Sequence, residues 1–242
     1  MKLLFLGTGC AFCKTLYNNN LLIFLNNTNL LIDCGLKASL ALDNMKLSMK
    51  DIDNVIITHF HADHIGGLEE MALTTKYFFN KKINLYIRED MADELWDNSL
   101  KGGLQYTGTD EMPQATLDYY FNVIPVKESF ELDGVTFNLF PTKHVKGMKS
   151  YGLYFENILF TGDTQYDPEL INQYIDKCDI MFHDCDFVRN PVHTYFEDLL
   201  NIPKNKREKI YLMHYSDIYT DYINVVEKEG FKIAYQQKMI KI

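Results

Sequence analysis

Long apolar runs are missing from this 242-residue chain. None approaches the roughly 20 residues that cross a bilayer, which excludes a helical membrane span. The apolar start Met1–Leu6 breaks at Gly7, too short for the hydrophobic region of a secretory signal, so a soluble, cytoplasmic protein is expected. Proline is scarce at 6 residues and glycine reaches only 13, with no repeat, linker or low-complexity tract. Disordered, collagen-like and coiled-coil classes are thereby excluded. Positive charge is in deficit. Lys and Arg number 24 against 33 Asp and Glu, a formal net charge of −9, so broad phosphate-backbone binding is disfavoured. Cysteine is sparse and odd in number, 5 in a chain long enough to bury a core without crosslinks, which favours a reducing compartment.

What is present is a succession of short apolar runs separated by turn residues. Leu3–Leu6, Leu21–Leu25, Leu30–Ile32, Val55–Thr58 and Ile83–Ile87 read as strands, with helical spacing over Ile65–Thr75 and Asp90–Leu100. The second half repeats the style. Strands are expected at Val135–Phe140, Tyr151–Phe155, Ile158–Thr161, Ile180–Phe182 and Ile210–Met213, and helices at Pro168–Ile175, Thr194–Leu200 and Ile218–Glu229. Strand groups carrying helices in both halves predict an α/β chain. The expected arrangement is an αββα sandwich of two packed mixed β-sheets with helices on the outer faces, one domain over residues 1–242. Lys101–Phe121 combines Gly102, Gly103, Gly108 and Pro113 with four aromatics and reads as a lid or dimer loop, or equally as a surface excursion whose aromatics fold back.

The chemistry is concentrated in Thr58-His59-Phe60-His61-Ala62-Asp63-His64. Three imidazoles and a carboxylate just past a strand end can turn toward one point, and these groups are ordinary ligands for zinc and similar divalent ions. With only 7 histidines in the chain, chance assembly of this spacing is rare.

This H-x-H-x-D-H signature resembles the metallo-β-lactamase superfamily, and the resemblance covers most of the chain. Leu3–Gly9 is similar to the family's opening strand and turn, and Leu31–Gly35 to its next strand, with Asp33 supporting the metal loop. His144, Asp163 in Phe-Thr-Gly-Asp-Thr164, and His214 in Leu-Met-His-Tyr-Ser216 fall where the family supplies its remaining ligands. The resemblance implies that His59, His61 and His144 hold one divalent ion and Asp63, His64 and His214 a second, with Asp163 bridging. Zn2+ is the first expectation and Mn2+ the alternative.

His61 departs from the di-iron oxygen-reducing branch, which places Glu there. Ser150-Tyr151-Gly152 after His144, Met181–Asp186, and Val192-His193-Thr194 resemble segments of the RNase Z-like phosphodiesterase branch. By that resemblance His193 is the general acid and Asp184 its orienting partner, while Asp63 orients the attacking water. A proton donor of this kind contributes roughly 10²–10⁴-fold when a high-pKa alkoxide must leave.

The long, basic tRNA-gripping arm of RNase Z is not evident, and the acidic chain is a poor platform for tRNA. Size and likeness resemble the compact phage and bacterial anti-Pycsar phosphodiesterases, which destroy cyclic mononucleotide signals. A small nucleotide phosphodiester substrate is implied, with neither a stable nucleic-acid complex nor a membrane, and a homodimer as in relatives of this branch. The rivals are an RNase Z-type endonuclease, a lactone or thioester hydrolase, and a non-catalytic nucleotide-sequestering protein. Lys143, Lys146 and Lys149 are the one local basic cluster, read chiefly as a solvated loop and otherwise as a phosphate contact. Cys10 and Cys13, with Cys34 on a strand expected nearby, would need a fourth ligand to hold an accessory zinc; small buried thiols are the plainer reading. Cys178 and Cys185 read as core.

Overall fold

A computed structural model describes residues 1–107 and 114–242. The strands, in chain order, are β1 (Lys2–Gly7), β2 (Asn20–Phe24), β3 (Asn29–Ile32), β4 (Asn54–Ile56), β5 (Ile83–Arg88), β6 (Phe121–Val126) and β7 (Ser129–Leu132). They continue with β8 (Val135–Pro141), β9 (Tyr151–Phe155), β10 (Ile158–Phe160), β11 (Ile180–Asp184), β12 (Ile210–Met213), β13 (Lys232–Ile233) and β14 (Met239–Lys241). The helices are α1 (Ala38–Asn44), α2 (Ala62–Ile65), α3 (Leu68–Leu73), α4 (Ala92–Leu95), α5 (Lys101–Leu104), α6 (Leu117–Tyr120), α7 (Pro168–Tyr174), α8 (Phe196–Leu199) and α9 (Ile223–Lys228).

The chain divides into two compact units, each built on one mixed sheet. The first comprises Met1–Leu6, Asn20–Lys127 and Gln237–Ile242, with strand order β14-β1-β2-β3-β4-β5-β6. Strands β3 to β6 run parallel. Of these, β3 and β4 are buried along their whole length, which is why they read as short apolar runs rather than alternating ones. Register is marked by an asparagine ladder: Asn84 Nδ2 donates to Asn54 Oδ1 at 2.8 Å and Asn122 Nδ2 to Asn84 Oδ1 at 3.1 Å.

The second unit comprises Gly7–Asn19 and Glu128–Gln236, with strand order β13-β12-β11-β10-β9-β8-β7. Strands β10 to β13 are parallel and β7 to β10 antiparallel. Helix α7 opens as its sequence dictates. Pro168 occupies the first turn, where a missing N–H costs nothing, and the Asp167 carboxylate caps Glu169 N and Leu170 N. Its Leu170 and Ile171 join Leu159, Met181, Ile210, Leu212 and Val226 in an apolar cluster.

Several boundaries differ from expectation. Strand β6 begins at Phe121, inside the expected 101–121 loop, and it escapes a sequence reading because Pro125 interrupts it. Proline is tolerated because β6 is an edge strand. The helical stretch expected over Asp90–Leu100 passes through a π turn, Trp96–Leu100, and continues into α5. Gly102 and Gly103 do not end it. A Cβ on Gly103 would lie 2.3 Å from the Glu69 side chain, so this glycine lets α5 approach α3. Tyr120 and Phe121 are buried, whereas Tyr106 is exposed; residues 108–113 of that segment lie outside the described residues. Ile218–Glu229 is a 3-10 turn followed by α9, and helix α1 carried no clear sequence signal. Among the described residues no helix is long and apolar enough to cross a membrane.

Candidate metal centre

Parallel strands put their carboxyl ends on one edge of a sheet, and the loops leaving those ends are where α/β folds bind ligands. In the first unit the loops after the adjacent strands β3 and β4 carry Asp33 and the His59–His64 segment. Asp33 adopts a left-handed backbone (φ 62°), strained for a non-glycine residue. Its fully buried carboxylate accepts from Thr58 N (2.8 Å), Thr58 Oγ1 (2.8 Å) and His64 Nδ1 (2.7 Å). Burial raises its pKa, opposed by His64 and these hydrogen bonds. With Nδ1 held by Asp33, His64 presents Nε2, which lies 3.3 Å from Asp63 Oδ2. His59 places Nδ1 at 3.1 Å from Thr58 Oγ1 and Nε2 at 3.1 Å from His61 Nδ1.

In the second unit, Asp163, Asp184 and His214 stand at or just past the ends of the adjacent parallel strands β10, β11 and β12. His214 also has a left-handed backbone (φ 61°). Asp163, 1% exposed, is faced by three imidazoles: His214 Nε2 at 3.3 Å, His144 Nε2 at 3.8 Å and His193 Nδ1 at 3.9 Å from Oδ2. His144 is oriented by its own Nδ1, 2.9 Å from Val192 O, which leaves Nε2 toward Asp163; burial lowers its pKa. Asp163, Asp184, His193 and His214 each offer a ligand atom, all within 4.8 Å of one another.

The 3.3 Å contacts, His64 Nε2 to Asp63 Oδ2 and His214 Nε2 to Asp163 Oδ2, are long for strong hydrogen bonds and right for shared coordination. Two donors about 2.0–2.1 Å from a tetrahedral ion lie roughly 3.3 Å apart. The imidazoles use one nitrogen on a hydroxyl, carboxylate or carbonyl and leave the other to a ligand position, the usual outer arrangement of metal-binding histidine. The donor set fits divalent metal ions.

Beside Asp163 lies a carboxylate–imidazole pair. His193 Nδ1 donates to Asp184 Oδ2 at 2.8 Å, and the same oxygen accepts from Thr164 N at 2.8 Å. Burial opposes the charged forms of both groups, yet the Asp184 charge and hydrogen bond raise the His193 pKa while His193 lowers that of Asp184. His193 precedes α8, whose first turn begins at Phe196 rather than at the expected Thr194. Its backbone is pinned by Asn190 Oδ1, which accepts from His193 N (2.8 Å) and Val192 N (3.1 Å). Asn190 escaped the sequence reading, although Asn-Pro is a turn signal.

A family model described as anti-Pycsar protein Apyc1 matches residues 1–240. This chain belongs to that family. It is 38% identical, over 248 residues and 95% of each chain, to the anti-Pycsar protein Apyc1 of Bacillus phage vB_BsuM-Goe3. Among solved structures, a diphosphatase of the PhnP family aligns over 100% of this chain and 97% of its own, with a TM-score of 0.77 and 20% identity. The metallo-β-lactamase fold protein YhfI of Bacillus subtilis aligns over 99% and 98%, with a TM-score of 0.77 and 17% identity. The two mixed sheets with their helices are therefore the metallo-β-lactamase fold, as the sequence resemblance implied.

In this Apyc1-family protein the remaining candidates fall outside the donor sets. Lys143 is held by Asp167 at 2.9 Å, which commits its ammonium to the start of α7. Cys34 is buried at the end of β3, and among the described residues no group of three or more candidate ligands includes a cysteine. Cys178 and Cys185 belong to the apolar cluster, as expected.

His183, which the family motifs leave without a role, shares a face of β11 with Met181 and Cys185. It is fully buried; Nδ1 meets Asp184 O at 2.7 Å, and Nε2 has no hydrogen-bond partner. Burial lowers its pKa from 6.5. The folded protein thus refuses a proton that the unfolded chain accepts. This contribution leaves stability undiminished above about pH 6.5 and erodes it as pH falls below that value, by up to about 1.4 kcal/mol per unit, until the depressed folded pKa is reached. Urea unfolding at pH 7.5 and 5.5 is expected to show less pH dependence for His183→Leu than for the parent. Equal dependence in the two proteins would show that His183 does not couple protons to folding.

Proposed function

We propose that this Apyc1-family protein is a metal-dependent phosphodiesterase that hydrolyses 3′,5′-cyclic mononucleotides, cCMP, cUMP, cAMP and cGMP among them, to linear nucleotides. It would act in the host cytoplasm to remove a cyclic nucleotide immune signal. The observation that carries the reading is the His193–Asp184 pair beside Asp163 and His214, a proton donor held next to two groups that can ligate a cation. The ligand assignment is the one the family resemblance implies. By that resemblance His59, His61 and His144 would hold one ion and Asp63, His64 and His214 the other, with Asp163 available to both.

Two divalent ions, when bound, acidify water and offset charge on the phosphoryl oxygens. The chain supplies the rest. Asp63 orients the attacking water. His193, with Nδ1–H committed to Asp184, uses Nε2 to protonate the departing ribose oxygen, and the Asp184 charge stabilises the protonated imidazole before transfer. Asp33 and Val192 O keep His64 and His144 in fixed tautomers.

The test is incubation of metal-loaded protein with cyclic mono- and dinucleotides beside a pre-tRNA, with products read by mass. Cyclic mononucleotides are expected to gain one water and the pre-tRNA to stay intact. Tight binding with every cyclic nucleotide recovered intact would replace catalysis by sequestration, and cleavage of pre-tRNA alone would replace it by RNA processing.

A further inference from the structure

Cys10 and Cys13 sit on the turn between β1 and β2, and nothing in the proposed reaction uses them. Their Sγ atoms are 3.6 Å apart. Cys13 N reaches Cys10 O at 3.3 Å, a tight turn that brings both thiols to one side. The turn is superficial, since Phe12 between them is 85% exposed. Cys10 is partly exposed, whereas Cys13, Cys34, Cys178 and Cys185 are buried. Gly9 makes room for the pair: a Cβ there would stand 3.0 Å from Cys13 Sγ and 2.6 Å from Leu16 Cβ. Cys10 N and Cys13 Sγ both approach Tyr215 O, at 3.1 and 3.2 Å, so the turn is anchored from beneath. The hydrogen bond offered by Cys13 draws the Cys10 thiol down to about 6 and pushes that of Cys13 up.

We propose that Cys10 and Cys13 are a thiol–disulfide pair, with Cys10 the thiol that attacks a hydroperoxide and Cys13 the one that resolves the product. The Cys10 thiolate attacks the terminal peroxide oxygen. The O–O bond breaks, an S–O bond forms, and the alkoxide or hydroxide leaves and takes up a proton. Cys13 sulfur then displaces water from the Cys10 sulfenic acid, its own proton departing with that water. In sum two thiols and one hydroperoxide give one disulfide, one alcohol or water, and one further water. The sulfurs need close only from 3.6 Å to about 2.05 Å, within a surface turn.

The experiment uses the full-length protein with hydrogen peroxide as the probe. Before oxidation, brief native treatment with iodoacetamide is expected to label Cys10 alone. One equivalent of peroxide is expected to remove that labelling, lower the intact mass by two hydrogens and crosslink Cys10 to Cys13 in the peptide map, all reversed by dithiothreitol. Cys13→Ser is expected to accumulate a dimedone-reactive sulfenic acid at Cys10 that the parent does not. A parent protein in which Cys10 gains oxygen atoms while Cys13 stays alkylatable after denaturation would overturn the pairing. First labelling at any cysteine other than Cys10 would overturn the order of attack.

Discussion

Replacing His61 by Ala is expected to cost the protein bound metal and turnover together. His61 Nδ1 stands 3.1 Å from His59 Nε2, the separation of two donors on one ion, and alanine removes that donor without disturbing His64, which Asp33 holds separately. The expected loss of activity exceeds the roughly 10–100-fold typical of deleting an outer partner of a ligand. Metal content by elemental analysis should fall while the far-UV circular dichroism of the metal-free forms of variant and parent stays the same, because His61 is only half-buried and lies in a loop leading into the four-residue α2. A fully active variant that keeps the parent's metal content would refute the ligand assignment.

His193→Ala separates the proton donor from the metal donors. It is expected to retain metal and to lose roughly 10² or more in kcat on cyclic nucleotides, with little change in KM, because the lost interaction belongs to the transition state. The loss should shrink for bis(p-nitrophenyl) phosphate, whose phenolate departs without a proton. Asp184 stays capped by Thr164 N in the variant, so the site is not left with an orphaned carboxylate. An unchanged kcat on cyclic nucleotides would remove His193 from the mechanism. An equal loss on both substrates would assign it a structural task instead.

The strand pairings explain which parts of this site can be read directly. The His59–His64 cluster is contiguous, so one strand end and one short loop suffice to gather it, and the spacing alone announces a metal. The inner parallel strands of both sheets were legible for a similar reason. Burial on both faces demands unbroken apolar runs, and such runs survive in the linear text. Edge elements were harder. Strand β6 carries a proline and β7 only four half-apolar residues, because an edge needs neither a full hydrogen-bond ladder nor two buried faces.

Taken alone, the order of residues predicted the fold class and marked the His59–His64 cluster for metal chemistry, since these depend on residue type and local spacing, while the more distant candidate ligands came from the family resemblance. The tertiary structure decided what those residues do to one another. It brings His193 to 2.8 Å from Asp184 and ties Lys143 to Asp167. It turns His183 into the apolar face of β11 and sets Cys10 against Cys13. Such meetings depend on strand order, on which face of a strand a side chain takes, and on how each turn closes. No local pattern encodes them, because they are set by packing between segments distant along the chain.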